Sequence, residues 1–236
     1  MKTLASAILA TGIIAGLALF GFQISQALSD MKTWDRVVTV KGLSEREYLA
    51  DQVIWPIQFV DAGNDLVSLY DDIQDNSTAV VEFLTSKGIS SDNVTIGKPQ
   101  ITDKLAQQYG GSERAKYRYT ATQTITVYSD NVEKVREIMQ KIGSLVKQGI
   151  VLSDQRYQAQ PDYVFTRLNE VKPEMIEEAT LNAREVALKF AKDSQSTLGK
   201  IKRANQGRFS ISSRDTHHPH IKKVRVVSTI DYTLVD

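Results

Sequence analysis

The residues with the most obvious chemical capacity are crowded into one short stretch. All three histidines of the chain fall in His217-His218-Pro219-His220. Neutral imidazoles commonly ligate zinc, copper and nickel. Ligands this close in sequence rarely complete a closed tetrahedral site, and Asp215 is the only carboxylate nearby. His217, His218 and His220 are therefore the candidate metal ligands, but the expectation is a solvated loop with no metal and no cofactor. The same crowding works against a Ser-His nucleophile, because every imidazole base lies in one polar loop and no G-x-S-x-G elbow occurs. Gly110-Gly111-Ser112 signals a turn but lacks the lysine and helix start of a P-loop, and no G-x-G-x-x-G follows a strand. The carboxylate pairs Asp71-Asp72 and Glu177-Glu178 sit on polar helix faces, where solvated charge is the default. With no cysteine there is no thiolate, cysteine-bound metal or lipid-bearing sulfur. No catalytic residue emerges, and no enzyme activity is expected.

Charge directs attention elsewhere. Twenty-nine Lys and Arg against 28 Asp and Glu leave a formal +1, so no global field draws in nucleic acid. The distribution is uneven. Residues 61–93 carry Asp61, Asp65, Asp71, Asp72, Asp75, Glu82 and Asp92 against Lys87 alone. Residues 200–236 carry Lys200, Lys202, Arg203, Arg208, Arg214, Lys222, Lys223 and Arg225 against three acids. Opposed faces of this kind suit head-to-tail association of identical chains. Intramolecular neutralisation, simple solvation and an acidic-ligand site on the basic hairpin remain alternatives, and the hairpin 212–225 is also where a ligand- or metal-binding module would place its site.

The elements that carry these groups are legible from periodicity. Val37-Val38-Thr39-Val40 is a β-branched run stopped at Gly42, and residues 52–60 form a second strand. Pro56 within it cannot donate to a ladder, which predicts an edge strand or a bulge, with Trp55 and Phe59 near that edge. Leu66, Leu69, Tyr70, Ile73, Val80, Phe83 and Leu84 mark a helix over 65–87. A hairpin follows over 93–128, broken at Gly110-Gly111. A second helix over 131–143 is capped by Asp130 and ended by Gly143, and Gly149 to Leu152 opens another strand. The longest helix begins at Pro173 and carries Ile176, Ala179, Ala183, Val186, Ala187, Phe190 and Leu198 as one stripe to 198. Two β-branched runs, 201–211 and 221–234, flank the polar loop Ser212 to His220. The expected class is α+β: antiparallel sheet packed with about three main helices in the order ββαββαβαββ. The β-β-α order recurs over 37–87 and 93–143, a weak internal repeat. No linker divides residues 36–234 into independently folding parts.

From Thr3 to Ser29 the chain has 27 uncharged residues, and 4–28 is dominated by Leu, Ile, Ala, Phe and Gly. As a helix this length reaches roughly 40 Å, enough for a bilayer's hydrocarbon core of about 30 Å. A cleaved signal is the rival, since Ser25-Gln26-Ala27 resembles a small-x-small cleavage site, but signal cores usually run about 7–15 residues. Residues 1–29 are thus expected to be a retained single-pass anchor. The positive-inside rule leaves the N-terminus in the cytoplasm and the rest in the periplasm. The alternative is a periplasmic or secreted protein.

Several segments taken in order resemble the SIMPL-domain family of exported bacterial proteins. They are Val37 to Gly42 with Glu45, Ala50-Asp51-Gln52-Val53, the helix with Asn76 ending Leu84-Thr85-Ser86-Lys87-Gly88-Ile89, and Asp92-Asn93-Val94. Tyr117-Arg118-Tyr119 leads the next strand, Glu178 to Arg184 and Ala187 to Ala191 lie in the long helix, and Leu198-Gly199-Lys200-Ile201 follows it. The resemblance spans about 36–234. This chain departs in Ser194-Gln195-Ser196-Thr197, where relatives often have small residues, and in its long apolar leader. The likeness implies an α+β envelope domain that self-associates, linked to envelope or oxidative stress, with no catalytic residues to carry over.

Overall fold

The computed structural model describes residues 12, 14, 16–25, 36–106, 116–153 and 160–235. Residues 16–25 are helical, with Leu17, Leu19, Phe20, Phe22 and Ile24 exposed. Among the described residues no helix is long and apolar enough to cross a membrane. Much of the span expected over 4–28 lies outside them, as do residues 26–27 and the Gly110-Gly111 break.

The folded region is α+β with antiparallel pairing. Its strands are β1 (Val37–Leu49), β2 (Gln52–Gly63), β3 (Val94–Ile96), β4 (Gln100–Asp103), β5 (Tyr119–Ser129), β6 (Val151–Leu152), β7 (Asp162–Val164), β8 (Thr197–Gln206), β9 (Ser210–Ser213) and β10 (Ile221–Val235). The helices are α1 (Leu66–Ser86), α2 (Val132–Lys141), α3 (Gly143–Lys147) and α4 (Leu168–Asp193). The order is richer than the ten elements expected. The 93–128 hairpin holds three strands, the second helix continues past Gly143 as a short third, β7 is added after β6, and the 201–211 run divides into β8 and β9. The described residues cluster into two compact units that do not follow the internal repeat. One comprises the chain up to Arg46 with Glu170–Ser210 and Val224–Asp236, the other Glu47–Asn169 with Ile211–Lys223.

In the first unit the sheet runs β1-β10-β8. α4 buries Met175, Ala179, Ala183, Ala187 and Ala191, spaced by four and all nearly inaccessible. This alanine ridge lets strand and helix backbones approach closely. A Cβ built on Gly42 of β1 falls 2.5 Å from the Ala183 nitrogen. Val186 and Phe190, expected on the buried stripe, are exposed. The helix also begins five residues before Pro173, which lies inside it. It ends at Asp193, because Gln195 takes a left-handed φ of 55°. Ser196 N then donates to Ala191 O and Gln195 N to Lys192 O, which closes a Schellman turn. Leu198 consequently belongs to β8, where it packs against Val40, Ala183, Ala187, Ile230 and Tyr232.

In the second unit the sheet runs β3-β5-β2-β6, with β4 also on β5 and β7 also on β2. β2 and β5 pair in unbroken register from Val53↔Ser129 to Gly63↔Tyr119. β2 is therefore neither bulged at Pro56 nor an edge over its full length. On its other side β7 pairs with Gln52–Ile54 and β6 with Phe59–Val60. Gln58 O accepts from Ser153 N on that side, so even-numbered backbone groups point there, Pro56 included. The proline's missing donor falls in the gap between β7 and β6, where none is needed. Trp55, Ile57 and Phe59 face the core together with Leu69, Ile73, Val80 and Leu84 of α1 and Ile125 and Val127 of β5. Leu66 and Tyr70, predicted on that face, are exposed. Asn131, not Asp130, caps α2 by accepting from Lys134 N. Gly88 (φ 83°) and Gly149 (φ 94°) close α1 and α3 in the same Schellman pattern, bringing Ile89 over Leu84 and Ile150 over Leu145.

Candidate functional site

The hairpin predicted over 212–225 exists, and its chemistry in the second unit differs from its appearance in sequence. Arg214 N donates to Ile221 O, which sets Ser213 of β9 opposite Lys222 of β10. Between them the loop is organised by Asp215, whose Oδ1 accepts from the backbone N–H of His217 and of His218, both at 2.8 Å. The same carboxylate meets Arg214 Nε at 2.9 Å and His218 Nδ1 at 2.9 Å. Arg214 first and then His218 hold Asp215 far below the usual carboxylate range. Asp215 is thus occupied in shaping the loop.

The three histidines part company. His217 and His218 are exposed, whereas His220 is nearly buried, with its ring edge-on to Tyr163 at 6.0 Å and 6.0 Å from the His218 ring. Among the described residues no three His, Asp or Glu side chains converge as a metal cluster. Burial, reinforced by the charges of Arg136 and His218, lowers the His220 pKa and favours the neutral ring, with Glu133 acting in the opposite sense. His220 also borders a cavity of about 430 Å³ shared with Leu49, Ala50 and the Asp130–Glu133 start of α2.

Lys222 is the feature that sequence reasoning missed. It reads as one more surface cation, yet it is only 9% exposed and its Nζ donates to Ser213 Oγ at 3.1 Å. Burial pulls its pKa down, and Asp162 only partly opposes this. Ser213 lines a cavity of about 580 Å³ with Gln160, Pro161, Tyr163, Asp215, Thr216 and Pro219. The one available signal was alternation. In Lys222-Lys223-Val224-Arg225-Val226 the inward set of β10 includes Lys222 with Val224 and Val226.

The other carboxylates have structural roles. Glu178 accepts from the buried Ser44 hydroxyl and from Arg46 Nε, both at 2.9 Å, and the Ser44 bond leads in keeping it ionised. Glu177, Asp71 and Asp72 are exposed. Arg214 pairs with Asp215 and Glu47, and Arg225 with Glu45. Among the described residues Lys200, Arg203 and Arg208, on or just beyond β8, are exposed cations without an ion pair, and every residue from Lys200 to Gln206 is exposed. On α1, Asp71, Asp72, Asp75 and Glu82 are likewise exposed and without an ion pair among the described residues.

Antiparallel sheets and an alanine-ridged helix define an α+β protein whose candidate chemistry is gathered on one polar hairpin. A family model, SIMPL, described as a protein of unknown function (DUF541), matches residues 38–226, and the chain belongs to that family. No curated protein matches the chain at a significant level.

Proposed function

We propose that this SIMPL protein is a membrane-anchored subunit of the cell envelope. Its periplasmic domain joins identical copies by docking the acidic face of α1 against β8, in a role connected with envelope or oxidative stress that needs no catalysis. The observation that carries the reading is the pair of unneutralised, oppositely charged surfaces: Asp71, Asp72, Asp75 and Glu82 on one unit, Lys200, Arg203 and Arg208 on the other. β8 pairs only with β10 and so ends its sheet among the described residues. Cations along such an edge repel a second β8 and leave an acidic surface as the favoured partner. The exposed apolar side chains of helix 16–25 support burial in lipid.

Sedimentation velocity of the full chain in detergent tests the reading. Assembly should weaken as salt rises toward about 0.5 M, where the Debye length is roughly 4 Å. Lys200→Glu/Arg203→Glu should reduce assembly more than the equally charged control Lys116→Glu/Lys147→Glu. Equal profiles for both variants and wild type at low and high salt would refute docking through these faces. N-terminal sequencing of membrane-derived protein that starts at Leu28 would refute the anchor.

A further inference from the structure

Lys222 occupies a position in which a charged ammonium is poorly served. Among the described residues its three donors meet a single acceptor, Ser213 Oγ at 3.1 Å, in a residue that is only 9% exposed. A buried cation normally has a carboxylate in contact. Here Asp162 acts only through its field, and no ion pair of Lys222 forms among the described residues. The neutral amine suits this environment better, because it can accept as well as donate. Ser213 is the complement. It is an exposed residue on the wall of the 580 Å³ cavity, and among the described residues the one other hydrogen bond of its hydroxyl is a long 3.5 Å donation to Pro219 O. Arg214 N→Ile221 O at 2.8 Å fixes the two residues face to face across β9 and β10, so the pair is held by backbone and not by loop chance.

We infer that Ser213 and Lys222 form a nucleophile–base pair that transfers small neutral acyl groups from esters to water. A lysine with a depressed pKa can act as general base, and a serine becomes nucleophilic when a base lies within hydrogen-bond reach. In the first step neutral Lys222 Nζ takes the Ser213 hydroxyl proton while Oγ bonds to the ester carbonyl carbon. The tetrahedral adduct expels the alcohol, whose oxygen receives the proton from Lys222, and an acyl-Ser213 ester remains. In the second step Lys222 takes a proton from water, the resulting hydroxide attacks the acyl carbon, and Ser213 Oγ recovers the proton as the carboxylic acid leaves. The ionised Asp215 on the same wall disfavours anionic acyl groups, and Gln160 and Thr216 bring neutral hydrogen-bonding side chains to it. The cavity volume lies within the range of small-molecule sites, about 300–1,000 Å³. The pairing lies within one unit and does not depend on the assembly reading.

The test uses the full chain, a fluorophosphonate probe and p-nitrophenyl butyrate. The probe should label Ser213, located by peptide mass spectrometry, and Ser213→Ala should abolish both labelling and ester turnover. Lys222→Met should lower the labelling rate at pH 8 by about a hundredfold, the usual scale of a general base. In wild type the rate should rise with pH along a single ionisation below the ordinary lysine value. If Lys222→Met fails to fold by circular dichroism, the wild-type pH profile decides. Labelling of Ser213 no faster than of exposed Ser210 and Ser212, a rate insensitive to Lys222→Met in a folded protein, or a pH-independent rate would each overturn the inference.

Discussion

Gly42→Ala is the most demanding perturbation of the first unit, because a methyl group is added where two backbones already touch. The new Cβ would lie 2.5 Å from Ala183 N and 2.9 Å from the carbonyl carbon of Ala179, and nearer still to the oxygen of Ala179. Carbon seldom approaches such atoms within about 3.4 Å, so β1 and α4 must separate by roughly 1 Å or more. The opposing atoms are backbone, so no rotamer change relieves the overlap. Separation loosens the contacts of Val40 with Ala183 and Ala187, both inaccessible in the native packing. Overpacking a tight core costs about 1–3 kcal/mol, and a clash against backbone belongs at the upper end, about 3 kcal/mol. For a folded region of this size each kcal/mol lowers Tm by about 2–4 °C, so the melt followed by circular dichroism at 222 nm should fall by about 6–12 °C. Gly143→Ala is the control: its Cβ meets nothing within 4 Å, and alanine favours the start of α3 by about 0.5–1 kcal/mol. Because the obstruction is main chain, Ala183→Gly should not rescue Gly42→Ala. A Gly42→Ala protein melting within 1 °C of wild type, or rescued by Ala183→Gly, would show that β1 and α4 do not pack as described.

Gln195→Gly removes the left-handed strain of a side chain at the end of α4 and should raise the urea midpoint by the equivalent of a few tenths to about 1 kcal/mol, after the greater freedom of glycine in the unfolded chain is counted; a lower midpoint contradicts the turn geometry. His220 has a lowered pKa, so below pH 6.5 the unfolded chain binds the proton first and stability falls as pH falls. The stability gap between wild type and His220→Asn at pH 8 should therefore narrow on acidification, and a constant gap from pH 8 to 5 refutes the burial argument. At Asp51 burial pushes the carboxyl pKa up, but donors from Thr166 and Arg167 outweigh it and bring the pKa down. Its contribution is present above pH 3.8 and lost as pH falls through the lowered value, so Asp51→Ala should flatten the acid limb of a stability–pH curve, and an unchanged limb counts against it.

Local pattern was sufficient for much of the architecture. Helical spacing of Leu69, Ile73, Val80 and Leu84 located α1 to within a residue at each end, and β-branched runs located β2 and β10. These features follow from neighbours three, four or two positions away, which is what periodicity records. Charge counting likewise singled out α1 and the 200–225 segment, because composition is a property of the chain alone. Tertiary structure decided where a local rule has two outcomes. Pro56 could mark an edge or a bulge, and only the placement of β6 and β7 on either side of it gives its missing donor a gap inside the sheet. Ala179, Ala183 and Ala187 are a stripe in any helix, but their purpose depends on Gly42, more than 130 residues earlier. Lys222 is indistinguishable from Lys223 by type or charge. One residue of register turns the first inward, against Ser213, and leaves the second on the other face, because successive side chains in a strand point to opposite sides and only the sheet's packing says which side is dry.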